Sequence, residues 1–193
     1  SDLFESFEQR NLSYSMRGTY GFLDRYFAEA SFGYNGSERF AKKNKMGFFP
    51  AVGGAWVASK ENFMQSMSDW LSFLKFRVSY GKVGNDGIIT SPRFVYLPTV
   101  GTALAPSPRP GEAQGYIYMI GGYANENIQW EIAEQVNFGV ETKLFDGLVD
   151  VTFDAYQEIR HNIIANRTVI PANMGIELYP LDNMGKVRSR GMD

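Results

Sequence analysis

The sequence has 193 residues, of which 15% are aromatic and 21% charged, with a formal net charge of −2 at pH 7 and no cysteine. The small net charge gives no evidence of a broad basic field, so we predict no nucleic-acid partner, and the missing cysteines exclude disulfides and thiolate metal sites. No run of 18 apolar residues occurs, so the sequence predicts no transmembrane helix.

Alternation of apolar and polar residues runs along most of the chain. Near its start, Tyr14 and Met16 alternate with Ser15 and Arg17. A period of two residues predicts strands with one apolar and one polar face. Six such runs lie at residues 11–22, 26–34, 48–57, 73–83, 135–145 and 149–156, and a seventh starts near Gly185.

The connections between these strands differ in length in a regular way. Residues 23–25 and the dipeptide Asp146-Gly147 are tight, and this dipeptide is typical of type I′ hairpin turns. Residues 59–72 have helical spacing, with Ser59 placed to cap a short helix. Three polar connections are longer, at residues 35–46, 84–134 and 161–183, and in an up-and-down order they all fall at one end.

Short turns at one end of a sheet and long loops at the other are typical of outer-membrane barrels. We therefore predict an all-β fold in which about six to seven antiparallel, up-and-down strands form part of a large transmembrane β-barrel facing outer-membrane lipid. One short helix lies in a periplasmic connection, and the long loops are extracellular. The alternative is a secreted β-sandwich module that binds carbohydrate, whose short strands also alternate, but the loop asymmetry favours the barrel.

Candidate catalytic residues are few. His161 has no partner histidine, and catalysis or metal binding requires several groups. Asp150 and Asp154 share a strand face, as paired carboxylates of a glycosidase would, but in a barrel this is simply the lumen face. No phosphate loop, nucleophile elbow or zinc-ligand spacing occurs. We predict no enzyme activity, no catalytic or metal-binding residue and no cofactor.

The segment 84–134 is the candidate binding element, because long loops on a rigid scaffold often carry function. Its aromatic rings can contact a substrate or a partner, and the alternative is that they pack the loop on itself or lie in the interfacial girdle. The candidate contacts are Tyr96, Tyr116, Tyr118, Tyr123 and Trp130. Four other aromatic residues are expected in the membrane-facing girdle, namely Phe48, Phe49, Trp56 and Tyr80.

Short motifs rich in aromatic residues and glycine are spread along the whole chain. They are Arg25-Tyr26, Gly36-Ser37, Gly47-x-Phe49-Pro50, Ala55-Trp56, Lys60-Glu61-Asn62-Phe63, Gly81-x-x-Gly84-Asn85, Trp130-Glu131 and Asn183-Met184-Gly185. In order and rough spacing they resemble the barrel wall of the SusC/RagA family of TonB-dependent outer-membrane transporters of Bacteroidota. Asn35 and Asp193 depart from the family pattern, which usually has aspartate and glutamate at these places.

The resemblance implies part of an importer of glycans, oligosaccharides or peptides in the cell outer membrane. It also implies energy supplied by TonB through an N-terminal part that this chain lacks, and a SusD-like surface lipoprotein that covers the barrel. We expect residues 1–193 to be a partial barrel, without plug or signal peptide, that this chain alone does not close. The identity of the substrate is not encoded in this part of the wall.

Overall fold

The computed structural model describes residues 10–87, 94–105, 115–167 and 179–193. Its strands are β1 (Asn11–Phe22), β2 (Tyr26–Ser37), β3 (Met46–Val57), β4 (Leu71–Asn85), β5 (Thr99–Leu104), β6 (Tyr116–Gly122), β7 (Glu131–Leu144), β8 (Val149–Asn166) and β9 (Leu181–Met192). Seven of them form one sheet in the order β1-β2-β3-β4-β7-β8-β9, while β5 pairs with β6. All these pairs are antiparallel, which confirms the predicted all-β, up-and-down arrangement.

The register of the large sheet separates an apolar face from a polar face. Phe76 lies opposite Val140, which in turn lies opposite Phe153. Because directly opposed residues of antiparallel strands point to the same side, these side chains share one face, here called the apolar face. Arg77 and Asp154 belong to the other, here called the polar face. Many large side chains of the apolar face are exposed, so the described chain does not cover it.

Aromatic residues occupy two levels of the apolar face. Near the tight turns, Phe22, Tyr26, Trp56 and Phe76 form one continuous row across β1 to β4. Nearer the long loops, a second row is made of Tyr14, Tyr34 and Phe48. The two rows lie eight positions apart on β2, which corresponds to about 26 Å along the strand. With the strand tilted by about 40° from the barrel axis, the band between the rows is about 20 Å high. Two aromatic rows around a band of this height are typical of outer-membrane barrels.

The turn between β7 and β8 differs in detail from the prediction. Phe145 and Asp146 have φ values of 53° and 54°, and the Gly147 amide donates to the Leu144 carbonyl at 3.1 Å. The central residues of the turn are therefore Phe145 and Asp146, one position earlier than predicted. The dipeptide rule assumes a two-residue loop, whereas residues 145–148 form a loop of four in which Gly147 also has a positive φ of 87°.

The long connections are shorter than the sequence indicated. β8 continues to Asn166, so His161 lies within a strand, opposite Ile132, rather than at the start of a loop. β4 and β7 likewise extend into the segment 84–134, and this segment also contains β5 and β6. The reason is that backbone hydrogen bonds between neighbouring strands continue where the alternation of side chains has stopped.

The connection between β3 and β4 is helical, but it is not an α-helix. It consists of two 3-10 helices, Ala58–Lys60 and Asn62–Met67. Ser59 lies inside the first one, and neither has a side-chain hydrogen bond at its N-terminal cap, so the predicted capping role of Ser59 is wrong. The described residues contain no helix that is long and apolar enough to cross a membrane.

Candidate functional site

The buried core of the described residues lies at the loop end of the sheet. Trp130 packs between Phe40 and Phe49, with ring centroids 5.1 Å and 5.3 Å away, and Val95 and Ile128 complete the cluster. These residues come from three different connections and from β3. Phe40, in a segment predicted to be an exposed loop, is only 2% exposed. The connections are therefore folded onto the wall instead of projecting from it as free loops.

The Phe49 ring is turned into this cluster between two glycines. A Cβ atom on Gly47 or on Gly84 would overlap with the Phe49 ring. Pairing between β3 and β4 ends at Ala51 and Gly81, and this leaves room for the ring between the strands. The prediction that Phe49 belongs to the membrane-facing girdle is therefore wrong. The same contact explains why glycine occupies these two places in the motifs of this chain.

Side-chain amides fix residues 125–130, here called the strap, to β8 and β9. The Asn183 side chain donates to the carbonyls of Gln129 at 2.9 Å and Asn162 at 2.6 Å, and it accepts from the Gln129 amide at 2.9 Å. The Asn125 side chain donates to the Leu181 carbonyl at 2.8 Å. Each of these bonds pairs a side-chain amide with a backbone group of the strap or of the strands beside it.

The other side of the strap is held by the connection between β2 and β3. The Asn44 side chain donates to the Ile128 carbonyl at 3.0 Å, and the Lys43 Nζ donates to Asn127 Oδ1 at 2.7 Å. The strap is thus fixed at both sides by polar contacts and underneath by the aromatic cluster. Together they form a rigid base at the loop end, from which the hairpin β5–β6 extends.

The five aromatic residues singled out from the sequence lie in different environments. Tyr116 and Tyr118 are 71% and 79% exposed on β6, and Tyr123 is 39% exposed. Tyr96 is half-buried. Trp130 is only 8% exposed, so its ring packs the connections together and offers no contact surface. The structure therefore leaves four tyrosines, not Trp130, in positions from which they can contact another molecule.

One side of the β5–β6 hairpin forms an exposed apolar surface. Tyr118 lies opposite Thr102, and Tyr116 lies opposite Leu104, so the two tyrosines share this side with residues of β5. This surface, here called the hairpin face, consists of Val100, Thr102, Leu104, Tyr116, Tyr118 and Ile120. All six are exposed. Contiguous exposed apolar surface is a common property of interaction sites.

The polar face carries a network of charges across β4, β7 and β8. Arg77 Nη2 contacts Asp154 Oδ2 at 2.6 Å, its Nε contacts Glu141 Oε1 at 3.4 Å, and Lys75 Nζ reaches Glu141 Oε2 at 3.3 Å. Gly139 separates Arg77 and Asp154 in the register, and a Cβ there would collide with both side chains. The network binds three strands together on the side away from the apolar face.

The carboxylates considered for glycoside hydrolysis are occupied by cations. Asp154 pairs with Arg77, and Asp150 pairs with Lys143 at 3.4 Å. Asp150 and Asp154 do share the polar face, as predicted, but each interacts with its own partner across the strands. This arrangement fits a structural role in the wall.

His161 has carboxylate and ammonium groups nearby, although it has no partner histidine. Its Nε2 lies 3.6 Å from Glu134 Oε1, and Lys82 Nζ lies 2.8 Å from the same oxygen. Within the described part of the chain, no group of three or more histidine, aspartate or glutamate residues could hold a metal ion. This cluster lies on the apolar face at the loop end of β4, β7 and β8.

A single carboxylate joins three of the motifs at the turn end. Glu61 accepts hydrogen bonds from Tyr26 Oη at 2.7 Å, from Trp56 Nε1 at 3.2 Å and from Arg25 Nη1 at 3.2 Å. These donors, the tyrosine hydroxyl above all, lower the pKa of Glu61. The motifs around residues 25, 56 and 61 therefore form one structural unit, here called the Glu61 cluster, which ties the β3–β4 connection to the β1–β2 turn.

Comparison with known proteins identifies this wall. The profile described as "TonB dependent receptor-like, beta-barrel" matches residues 1–193. The chain belongs to the TonB-dependent receptor β-barrel family. SusC of Bacteroides thetaiotaomicron, a TonB-dependent receptor, is 28% identical over 182 residues, which are 94% of this chain and 18% of SusC. TonB-dependent receptor P3 of Formosa agariphila is 28% identical over 177 residues, 92% of this chain and 17% of that protein.

A solved structure shows the same arrangement of strands. The RagAB peptide importer in its closed-closed state superposes with a TM-score of 0.78 at 25% identity, over 95% of this chain and 19% of that one. The chain thus spans less than a fifth of the length of the TonB-dependent receptors that it matches. These likenesses confirm the predicted resemblance and fold class. The β-sandwich alternative is wrong, because the seven strands form one continuous sheet in chain order.

In a TonB-dependent receptor the two faces of the sheet have distinct surroundings. Outer-membrane barrels present an apolar band to lipid and a polar surface to the lumen. The apolar face described above is therefore the lipid side, and the charge network of Arg77, Glu141 and Asp154 lies on the lumen side. Alternation in the sequence was sufficient to assign these faces. The strap was missed. The girdle assignment of Phe49 was wrong although alternation places this residue on the face opposite to Phe48, and Gly47 and Gly84, whose missing side chains make room for the ring, were further signals.

Proposed function

We propose that this chain is part of an outer-membrane importer of glycans, oligosaccharides or peptides in a member of the Bacteroidota. The match of the whole chain to a TonB-dependent receptor barrel carries this proposal. The likeness to SusC and to a structure described as a peptide importer supports import as the direction of transport. In such a protein residues 1–193 supply part of the barrel wall. Energy comes from TonB, which contacts a part of the protein outside this chain.

A SusD-like surface lipoprotein is the proposed partner at the loop end. The support is the likeness to the RagAB peptide importer, together with the exposed apolar surface at the loop end of this chain. The hairpin face combines two highly exposed tyrosines with three aliphatic side chains. Tyrosine rings add large contact area at a low cost in conformational entropy, so such a surface suits a protein lid or a carbohydrate ring.

The proposal is tested by changing the hairpin face in the full-length transporter. Tyr116→Ser combined with Tyr118→Ser removes both exposed rings, whereas Ile117→Ser alters the opposite side of the same strand and serves as the matched control. We expect the double variant to reach the outer membrane in normal amounts but to lose lipoprotein association or substrate uptake by about tenfold, and the control to keep both. Deletion of residues 102–118 should act in the same way.

Unchanged lipoprotein association and substrate uptake in the double variant and in the deletion would show that the hairpin face has no role in either. Membrane insertion is followed separately by the heat-dependent gel mobility of the folded barrel. A protein that inserts but imports neither glycans nor peptides would contradict the proposed transport activity, even if the lipoprotein still binds.

A further inference from the structure

The two tight turns of the wall share one conformation and one unusual choice of residues. Leu23 and Asp24 both have a φ of 52°, and Phe145 and Asp146 follow the same pattern with values of 53° and 54°. In each turn a backbone amide donates to the carbonyl three residues earlier at 3.1 Å. Both are therefore type I′ turns, whose central positions are usually occupied by asparagine, aspartate or glycine. Here each turn has a large apolar residue followed by aspartate.

A large side chain at the first central position of such a turn is strained. A positive φ brings its Cβ close to the following carbonyl oxygen, which is why bulky residues rarely adopt it. Leu23 and Phe145 are both exposed, so packing in the wall does not compensate for this strain. Strain that is retained at two separate turns indicates a function for the side chains concerned.

The connection between β3 and β4 brings a third pair of the same kind to this end. Asp69 and Trp70 are its last residues before β4, and both are exposed. The Trp70 carbonyl accepts from the Phe145 amide at 2.9 Å, and the Glu61 cluster ties the same connection to the β1–β2 turn. Bonds that this chain itself makes therefore hold the three pairs in fixed positions. Together they form the turn-end surface, which consists of Leu23, Asp24, Asp69, Trp70, Phe145 and Asp146.

The turn-end surface combines apolar side chains with negative charge. Its two tight turns lie four strand spacings apart, which corresponds to about 19 Å. Each large apolar residue stands next to an aspartate in the chain. The basic residues of the three connections, all of which lie within the described range 10–167, are Arg25, which is paired with Glu61, and Lys60. The surface is thus acidic as well as apolar.

This combination favours a protein partner over a lipid surface. Anionic headgroups attract basic side chains, so an excess of aspartate opposes contact with them. A protein segment with basic and apolar side chains fits both features, because apolar contact supplies binding and opposite charge sets its orientation. We propose that the turn-end surface docks such a segment of another periplasmic protein. The inference rests on the proposed function, since an outer-membrane location places this end in the periplasm.

The test introduces the photoreactive residue p-benzoylphenylalanine in place of Leu23 or Phe145 in the full-length transporter in living cells. Irradiation should join it to another protein, and mass spectrometry should locate the bond in a segment with lysine or arginine beside apolar residues. Combining Asp24→Asn, Asp69→Asn and Asp146→Asn should lower the yield of this adduct by about tenfold, because the opposite charges that favour docking are removed. Lys60→Gln is the matched control at the same end and should not lower the yield.

A second variant separates docking from stability. Leu23→Asn with Asp24→Gly, together with Phe145→Asn and Asp146→Gly, gives both turns the residues that type I′ prefers. This variant should unfold at a higher urea concentration than the wild type. With the photoreactive residue in place of Trp70, it should nevertheless lose the adduct that the otherwise wild-type protein forms from that position. A merely structural role of the turns would predict a gain in stability with an unchanged adduct.

Adducts only with phospholipid, or only with other parts of the transporter, would overturn the proposal, and so would the absence of any adduct. An unchanged yield in the variant with the preferred turn residues would overturn it as well. A transporter that forms the expected adduct in the outer membrane but imports neither glycans nor peptides would support docking and contradict the proposed function instead.

Discussion

The contact between Phe49 and Gly84 predicts that a single added methyl group destabilises the wall. In Gly84→Ala the new Cβ would overlap two ring atoms and lie 2.8 Å from a third, Cε2. An ordinary contact needs about 3.4 Å, so Cε2 alone must move by about 0.6 Å and the two overlapping ring atoms by considerably more. Gly47 and Trp130 block the path of the ring. Overpacking of this kind typically costs about 1–3 kcal/mol.

A double-mutant cycle separates this clash from other effects of the substitution. Phe49→Ala alone should cost about 3–5 kcal/mol, because it empties the centre of the aromatic cluster. In that background Gly84→Ala has no ring to displace, and alanine in place of glycine in a strand should be neutral or stabilise by up to about 1 kcal/mol. The sign of the Gly84→Ala effect is therefore expected to change.

The assay is urea unfolding of the full-length protein in detergent micelles, followed by tryptophan fluorescence and by gel mobility. Gly18→Ala is the control, because a Cβ at Gly18 meets no atom within 4 Å. An equal effect of Gly84→Ala in both backgrounds would refute the reasoning, since the clash would then not involve Phe49. A neutral or stabilising effect in the wild type would refute it as well.

Three further predictions concern the faces, the turn end and the strap. Val140→Arg on the apolar face should cost about 2–4 kcal/mol at the middle of the bilayer and reduce insertion, measured as the amount of folded barrel in outer-membrane fractions. Thr152→Arg on the polar face should be tolerated. Equal tolerance of both variants would contradict the assigned faces. The folded-state pKa of Glu61 lies below its ordinary value of 4.5, so its stabilising contribution is present above pH 4.5 and is lost as the pH falls through the lowered pKa. Glu61→Gln should therefore flatten the acid limb of a plot of stability against pH, and an unchanged limb would argue against the cluster. Asn183→Ala should cost about 1–3 kcal/mol, because it leaves two carbonyls and the Gln129 amide without partners, and hydrogen exchange should then accelerate at residues 125–130 but not in β7.

The sequence was sufficient to predict the sheet, because alternation assigns each side chain to a face without knowledge of its neighbours. Phe76 and Arg77 illustrate this, since their opposite directions follow from a period of two alone. Strand ends were predicted less well. β8 extends ten residues beyond its predicted end at residue 156, because Glu158, Arg160 and His161 interrupt the alternation without interrupting backbone pairing.

The loop end required information that the sequence does not carry locally. Phe48 and Phe49 are adjacent, so a period of two residues already places them on opposite faces of β3. The space that holds the Phe49 ring, in contrast, depends on Gly84, which lies far along the chain. The β5–β6 hairpin was missed for a different reason. Both of its strands have β-prone residues, but the proline-rich segment between them favoured the interpretation of the whole stretch as a loop. That segment, residues 106–114, lies outside the described residues.

The insertion of a hairpin between two paired strands has a consequence for the order in which the wall assembles. β4 and β7 pair along their whole length although residues 86–130 separate them, whereas β7 and β8 are joined through the four residues 145–148. Closing a loop of about 45 residues instead of about 4 costs roughly 2 kcal/mol more in chain entropy. We expect β1–β4 and β7–β9 to form first as two separate meanders that then join along β4 and β7. Lengthening the inserted segment should slow this joining step while leaving each meander unaffected.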